Sequence, residues 1–337
     1  MRVPVFALVL VGCSFSATSP QSAPIDAAGP GVPPIDSASL DGKQPPFCAG
    51  AFVRVCVDPP QASRTLATQK IDTSNSTLCA PYTATPNVDA CVITGQSITI
   101  QSGTTVSVES GNITVGGNSV PGTKRLILLA TDSITIAGTL DAAGHGKTSG
   151  PAGSAGPCGA GARNPTSNVQ GGGGFGGSFG SAGSDGGNGA TGNGGVAATA
   201  FTATTLRGGC PGSDGGDHAF GGGGGDRGGG GGAVLLIATQ TITISGILNA
   251  SGGKGRGGQL GGGGGGGGSG GMIVLDANTV NTPGMCFANG GGGGEGANLA
   301  NGRDGEEPRA PDQVAGGGQG GAVTGGDGGN GGFGTTN

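Results

Sequence analysis

Aromatic residues make up only 3% of this 337-residue chain: tryptophan is absent, Tyr82 is the sole tyrosine, and phenylalanine occurs ten times. A large conventional core draws on aromatic volume, so a core of that kind is excluded. Charge is equally scarce, at 10% of residues. That argues against an ordinary disordered chain, which keeps itself solvated with charge. The formal balance is −5, from 15 Lys and Arg against 20 Asp and Glu, and no basic cluster interrupts it. The electrostatic footprint of a nucleic-acid partner is therefore missing. No apolar stretch reaches the roughly 20 residues of a membrane-spanning helix. Glycine fills the gap with 85 residues, against about 7% in ordinary usage. Between its tracts lie short runs of Ile, Leu, Val and Thr.

The chain opens MRVPVFALVLVGC. Arg2 and the mostly apolar Val3 to Gly12 follow the order of a secretory signal over residues 1–12. Leu10-Val11-Gly12-Cys13 resembles a bacterial lipobox, which implies cleavage before Cys13 and acylation of its thiol. The bilayer would then be a partner, held by CH₂ burial at roughly 0.8 kcal/mol each. Ser14, where Asp would signal retention, implies by resemblance to Gram-negative lipoproteins an exported outer-membrane protein, periplasmic or surface-exposed. Residues 13–46 are Pro, Ser and Ala with little apolar periodicity and read as a disordered tether.

Seven further cysteines follow, and an exported chain meets an oxidising compartment. Cys48, Cys56, Cys79 and Cys91 fall within residues 47–91, a segment read as a cysteine-stapled cap. Two bridges among them allow three connectivities, and spacing does not choose. Metal binding is disfavoured because no Cys-x-x-Cys pair occurs and neither His145 nor His218 is near. Cys158 and Cys210 lie in glycine-rich sequence and are candidates to staple it. Cys286 sits in an apolar run and reads as a buried free thiol.

Three segments align over twenty residues without a gap: RLILLATDSITIAGTLDAAG (125–144), AVLLIATQTITISGILNASG (233–252) and GMIVLDANTVNTPGMCFANG (271–290). A fainter copy is VITGQSITIQSGTTVSV (92–108). Leu126 to Leu129 is continuously apolar, as in a strand buried on both faces. Ile134 and Ile136 alternate with Thr135, as in a strand with one outward face. A unit of two short strands and a Gly turn cannot bury its own face, so neighbours must stack on it. The expected class is all-β, a parallel β-solenoid resembling a right-handed β-helix over 92–290. Hairpins in a sandwich are the competing arrangement.

The insertions at 145–232 and 253–270 and the tail at 291–337 carry most of the glycine. There it recurs every third residue, at 171, 174, 177 and onward to 195, and again at 150–159, 252–270 and 325–334. Period three is the pitch of an extended left-handed helix without internal hydrogen bonds. A polyglycine-II-like bundle and disordered glycine-rich loops both accommodate this pattern.

Chemistry is sparse. HGKT at 145–148 lacks the phosphate-loop glycine, since Asp141 stands in its place. GGGGGD ending at Asp226 begins like a calcium-binding nonapeptide, but Gly228 replaces the apolar residue. Asp132 and Asp141 become Gln240 and Asn249 in the next copy, the behaviour of turn residues rather than paired carboxylates. His145 and His218 read as solvated loop residues. No cofactor and no catalytic residue is expected.

The LVGC start, the FCAGAFVRVC…STLC…ACVI segment and LILLATDSITIAGTLDAAG followed by glycine tracts resemble glycine-rich lipoproteins of the delta-proteobacterial, myxobacterial type. The resemblance implies location and architecture and carries no activity with it. The expected function is a non-enzymatic, structural or adhesive role at the cell envelope, with a surface or matrix glycan as candidate partner. A binding module for ice or glycan, using Ser133/Thr135 and Thr241/Thr243 as an outward array, is the alternative. A degenerate β-helix polysaccharide lyase or hydrolase is a third reading.

Overall fold

The computed structural model describes residues 13–15, 44–115, 118–154, 158, 165–167, 169–200, 203–297, 300–318 and 329–331. The expected signal peptide at 1–12 and residues 16–43 of the tether lie outside the described residues. Cys13–Phe15, expected at the tether's start, is a short strand parallel to Met272–Asp276. Among the described residues there is no helix, and the fold is a parallel β-solenoid of about five turns.

Each turn, or rung, gives strands to a long sheet and then to a short one. Rung 1 is Arg64–Leu66 with Gln69–Asp72, and rung 2 is Ala90–Ile100 with Thr105–Glu109. Rung 3 is Arg125–Ile136 with Thr139–Asp141. Rung 4 is Ala233–Ala238, Thr241–Ile244 and Ile247–Asn249. Rung 5 is Met272–Asp276, Thr279–Asn281 and Met285–Phe287. Every pairing between rungs is parallel. Rung 1 lies within the segment expected to be only a cap.

The two halves of the long sheet differ because their outer faces meet different things. Inside the solenoid, Leu126, Leu128, Ile134 and Ile136 pack with Val234, Leu236, Ile242 and Ile244, none more than 1% exposed. Outside the first half, Ile127, Leu129, Leu235 and Ile237 pack on Val53, Val55 and Val57. Those valines belong to a small antiparallel sheet of Phe47–Ala49, Arg54–Val57 and Thr83–Thr85 and the turn leading into it. Two covered faces give the continuous apolar run. The second half has no such cover, so it alternates Ile with Ser or Thr.

Disulfides join Cys48 to Cys56 across the small sheet, Cys79 to Cys91 at the start of rung 2, and Cys158 to Cys210 between glycine-rich segments. Cys286 is disulfide-bonded rather than a free thiol. It stands in the edge strand of the short sheet, half-buried, where another sulfur can reach it. One alignment also shifts: Ala233 pairs with Met272 rather than Gly271, while Thr241 still pairs with Thr279. Rung 5 is one residue shorter across the bend, and a strand apolar on both faces gives no signal of such a slip.

The glycine tracts are ordered. They extend the short sheet's stacking while changing its period from two to three. Ala250 N–H donates to Phe287 O, and Gly252, Gly255 and Gly258 then donate to Asn289, Gly292 and Glu295. Gly171, Gly174 and Gly177 donate to Gly261, Gly264 and Gly267 at 2.9, 2.7 and 2.9 Å. Gly225, Gly228 and Gly231 donate to Gly263, Gly266 and Ser269. Antiparallel neighbours keep the same step, with Gly209, Gly212 and Gly215 donating to Gly231, Gly228 and Gly225. This is a polyglycine-II-like bundle, in which backbone groups find partners on other strands rather than in water.

The tract at 261–268 explains why some segments are pure glycine and others only one residue in three. It is a central strand enclosed by neighbours. A Cβ at Gly262, Gly265 or Gly268 would collide with the carbonyls of Gly223, Asp226 or Gly229. At Gly263 or Gly266 it would meet Gly172 or Phe175, and at Gly264 or Gly267 it would meet Gly294 or Gly291. All three faces are closed, so every position must lack a side chain. Outer strands present one face to solvent and there carry Ser181, Asp185 and Asn188, all exposed.

Candidate functional site

The uncovered half of the long sheet carries two columns of hydroxyl-bearing side chains. Pairing places Ser97, Ser133, Thr241 and Thr279 in one column. It places Thr65, Thr99, Thr135, Thr243 and Asn281 in the other. Ser63 continues the first column, since Ser97 and Ser63 hydroxyls lie 2.8 Å apart. Between the columns, Ile98, Ile134 and Ile242 point inward and are at most 1% exposed. Inward packing therefore fixes the outward residues. Strand spacing sets about 4.8 Å between members of a column, and two residues of rise set about 6.6 Å between columns.

The hydroxyls of Thr99, Thr135, Thr241 and Thr243 have no protein partner among the described residues. The bend beside them is itself laddered: Thr239 Oγ1 donates to Thr131 O, and Asn278 Nδ2 donates to Thr239 O. The face thus has a supported edge and a repeating, solvent-directed hydroxyl surface. Ser133, Thr135, Thr241 and Thr243 were legible from the sequence. Thr65 was not, because rung 1 shows only one inward apolar residue per strand, Leu66 and Ile71.

Of the charged residues singled out above, Asp141, His145 and Asp226 are brought into ion pairs. His145, expected to be simply solvated, has Nε2 2.9 Å from Asp141 Oδ2 and Nδ1 2.6 Å from Glu307 Oε2. The hydrogen bond to Asp141, then that to Glu307, raises its pKa from the ordinary imidazole value to about 10. Burial tends to raise the Glu307 pKa, but the hydrogen bonds from His145 and Gly146 outweigh it and hold it below the usual range. An imidazolium held between two carboxylates is a poor proton shuttle and a good pin. It fastens the segment around Glu307 to the turn after rung 3. Asn249 Nδ2 also donates to Asp141 Oδ1, at 3.2 Å.

Asp226 lies 3.5 Å from Lys147 and 3.7 Å from Arg256. Asp132 receives Gln240 N–H on its backbone carbonyl, which fits a turn residue. His218 packs edge-on against Phe220. No group of three or more His, Cys, Asp or Glu among the described residues is arranged to hold a metal ion. The chain matches no protein-family model, no curated protein and no solved structure.

Proposed function

We propose that this chain is a non-enzymatic scaffold of the cell envelope that adheres to a periodic partner through its hydroxyl ladder. In this reading the chain is exported to the oxidising cell envelope, where its disulfides form. The partner is a surface or matrix glycan. The observation that supports it is the double hydroxyl column on the uncovered half of the long sheet, Ser or Thr at every position but Asn281. A rigid array of this kind meets a repeating ligand at many points, so weak single contacts sum to retention while a monomeric sugar gains little.

The test is a pull-down on a panel of insoluble polysaccharides with wild type and the Thr135→Lys/Thr243→Lys double variant. Both residues are only half-buried and face outward, so the fold persists, as circular dichroism would verify. Retention of wild type and release of the variant supports the reading. Equal retention of both, or of neither, refutes it. The gapless register of the columns also favours a second reading, a face matched to ice. Thermal hysteresis lost in the same variant would select that reading over the glycan one.

A further inference from the structure

Arg207 is buried, at 7% exposure. Its guanidinium lies over the Phe179 ring, 5.6 Å from the centroid, and Nε donates to Gly208 O at 3.3 Å. Its Nη2 lies 3.6 Å from Cys158 Sγ and 3.6 Å from Cys210 Sγ, so one positive charge faces both sulfurs of a disulfide. Among the described residues no charged side chain hydrogen-bonds to the sulfurs of Cys48–Cys56 or Cys79–Cys91. Access does not separate the three bridges, since Cys48, Cys56, Cys79 and Cys158 are all half-buried. Neighbouring charge does.

A disulfide opens when a thiolate attacks one sulfur and the other departs as a thiolate, and a better-stabilised thiolate departs faster. Cys210, at 2% exposure, is shielded from attack, whereas Cys158 is only half-buried. Burial alone works against a thiolate at Cys210, and a cation in contact works for it. The cation prevails because its charge acts at contact distance through the same dry surroundings. Burial, and after it the neighbouring Arg125, hold the Arg207 pKa below the ordinary guanidinium value, so a new negative charge beside it is favoured. Cys210 is also held in place without its bridge. Its N–H donates to Ser269 Oγ at 2.7 Å, and its carbonyl accepts from Ser269 N–H at 2.9 Å. Gly209 and Gly212, on either side, donate to Gly231 and Gly228. The Cys210 sulfur therefore stays beside Arg207 when the bridge opens.

We propose that Cys158–Cys210 is a thiol-exchange site, reduced by an external dithiol, rather than a permanent staple. One thiolate of the dithiol attacks Cys158 Sγ. The sulfur–sulfur bond breaks, its electron pair leaves on Cys210 as a thiolate beside Arg207, and a mixed disulfide forms at Cys158. The dithiol's second thiolate then displaces Cys158. Of the dithiol's two protons, one goes to Cys158 and the other to solvent. The dithiol is oxidised to a disulfide, and the protein is left with one thiol and one thiolate. The hydroxyl ladder lies on the solenoid sheet, so adhesion and exchange do not depend on each other.

The full chain is equilibrated in graded ratios of reduced to oxidised dithiothreitol, and free cysteines are alkylated and located by mass spectrometry. Cys158 and Cys210 should become free at a ratio about tenfold lower than Cys48, Cys56, Cys79 and Cys91, which is about 30 mV for a two-electron couple. Arg207→Lys should keep most of that gap, and Arg207→Gln should close it. With glutathione as a monothiol probe, the adduct should form on Cys158 and not on Cys210. Opening of Cys158–Cys210 together with, or after, either other bridge overturns the proposal on wild type alone, whatever the variants do. An unchanged gap in a folded Arg207→Gln protein overturns the role of Arg207. Adducts shared equally by Cys158 and Cys210 overturn the direction of attack.

Discussion

Substituting Gly267 by Ala places one methyl group at the centre of the bundle. The added Cβ would lie well within 3.0 Å of the Gly291 carbonyl, a backbone atom that cannot swing aside. The strand must shift, and the bonds on either side are short and directional. Gly177 N–H reaches Gly267 O at 2.9 Å, and Gly291 N–H reaches Gly268 O at 2.9 Å. Overpacking a tight interior costs about 1–3 kcal/mol. Two weakened backbone hydrogen bonds add about 1 kcal/mol each. Reduced freedom of the unfolded chain returns about 0.4–1 kcal/mol. The net expectation is destabilisation by about 3 kcal/mol, or a Tm drop near 10 °C at roughly 2–4 °C per kcal/mol. Gly187→Ala is the matched control, because a Cβ there meets nothing within 4 Å. It should stay within about 0.5 kcal/mol of wild type or gain slightly. Calorimetric melts of the three proteins decide the matter, and a Gly267→Ala protein that melts with wild type refutes the packing argument.

Other expectations follow from the same geometry. Removing the His145 imidazole should flatten the alkaline side of the stability profile. Its folded pKa is raised to about 10, so its contribution is fully present below about pH 6.5 and is lost as pH rises through about 10. Denaturant titrations from mildly acidic to strongly alkaline pH on wild type and His145→Gln check this; parallel profiles contradict the clamp. Glu307, with its pKa lowered, contributes above the ordinary carboxylate range and loses that contribution as pH falls through its folded value. Its effect therefore belongs to the acid limb. Ile134→Ala opens a cavity between rungs and should cost about 2–5 kcal/mol, read as a lower denaturation midpoint at unchanged slope. Opening the Cys158–Cys210 bridge, with a sequence separation of 52, frees a loop whose closure is worth about 4 kcal/mol. The Cys158→Ser/Cys210→Ser protein should melt earlier, and an unchanged melt would show the bundle holding its strands without the staple.

Much of this architecture can be read in the sequence, and the unread parts have physical reasons. Rungs 3 and 4 stand out because Ile134, Ile136, Ile242 and Ile244 alternate with hydroxyl residues, and a solvent-facing side enforces that alternation. Rung 1 hides because Leu66 and Ile71 alone point inward, too few to show a period. The slip at Met272 hides because both faces of its strand are apolar. Glycine spacing revealed the period of the bundle but not its order, since a flexible loop tolerates the same spacing. Only the neighbours distinguish them: the tract at 261–268 is uniform because it is enclosed, not because it is unconstrained. The clamp at His145 was invisible because its partners, Asp141 and Glu307, are 4 and 162 residues away. Spacing of that kind carries no signal.

Hydrogen exchange followed by mass spectrometry on the full chain tests the central claim most directly, because an ordered glycine bundle and a set of flexible loops differ most in their amides. The bundle predicts that peptides covering 208–216, 222–232 and 261–271 exchange slowly, as do the solenoid strands at 125–136 and 233–244. Complete exchange of the glycine peptides within seconds, with the solenoid strands still protected, would contradict it.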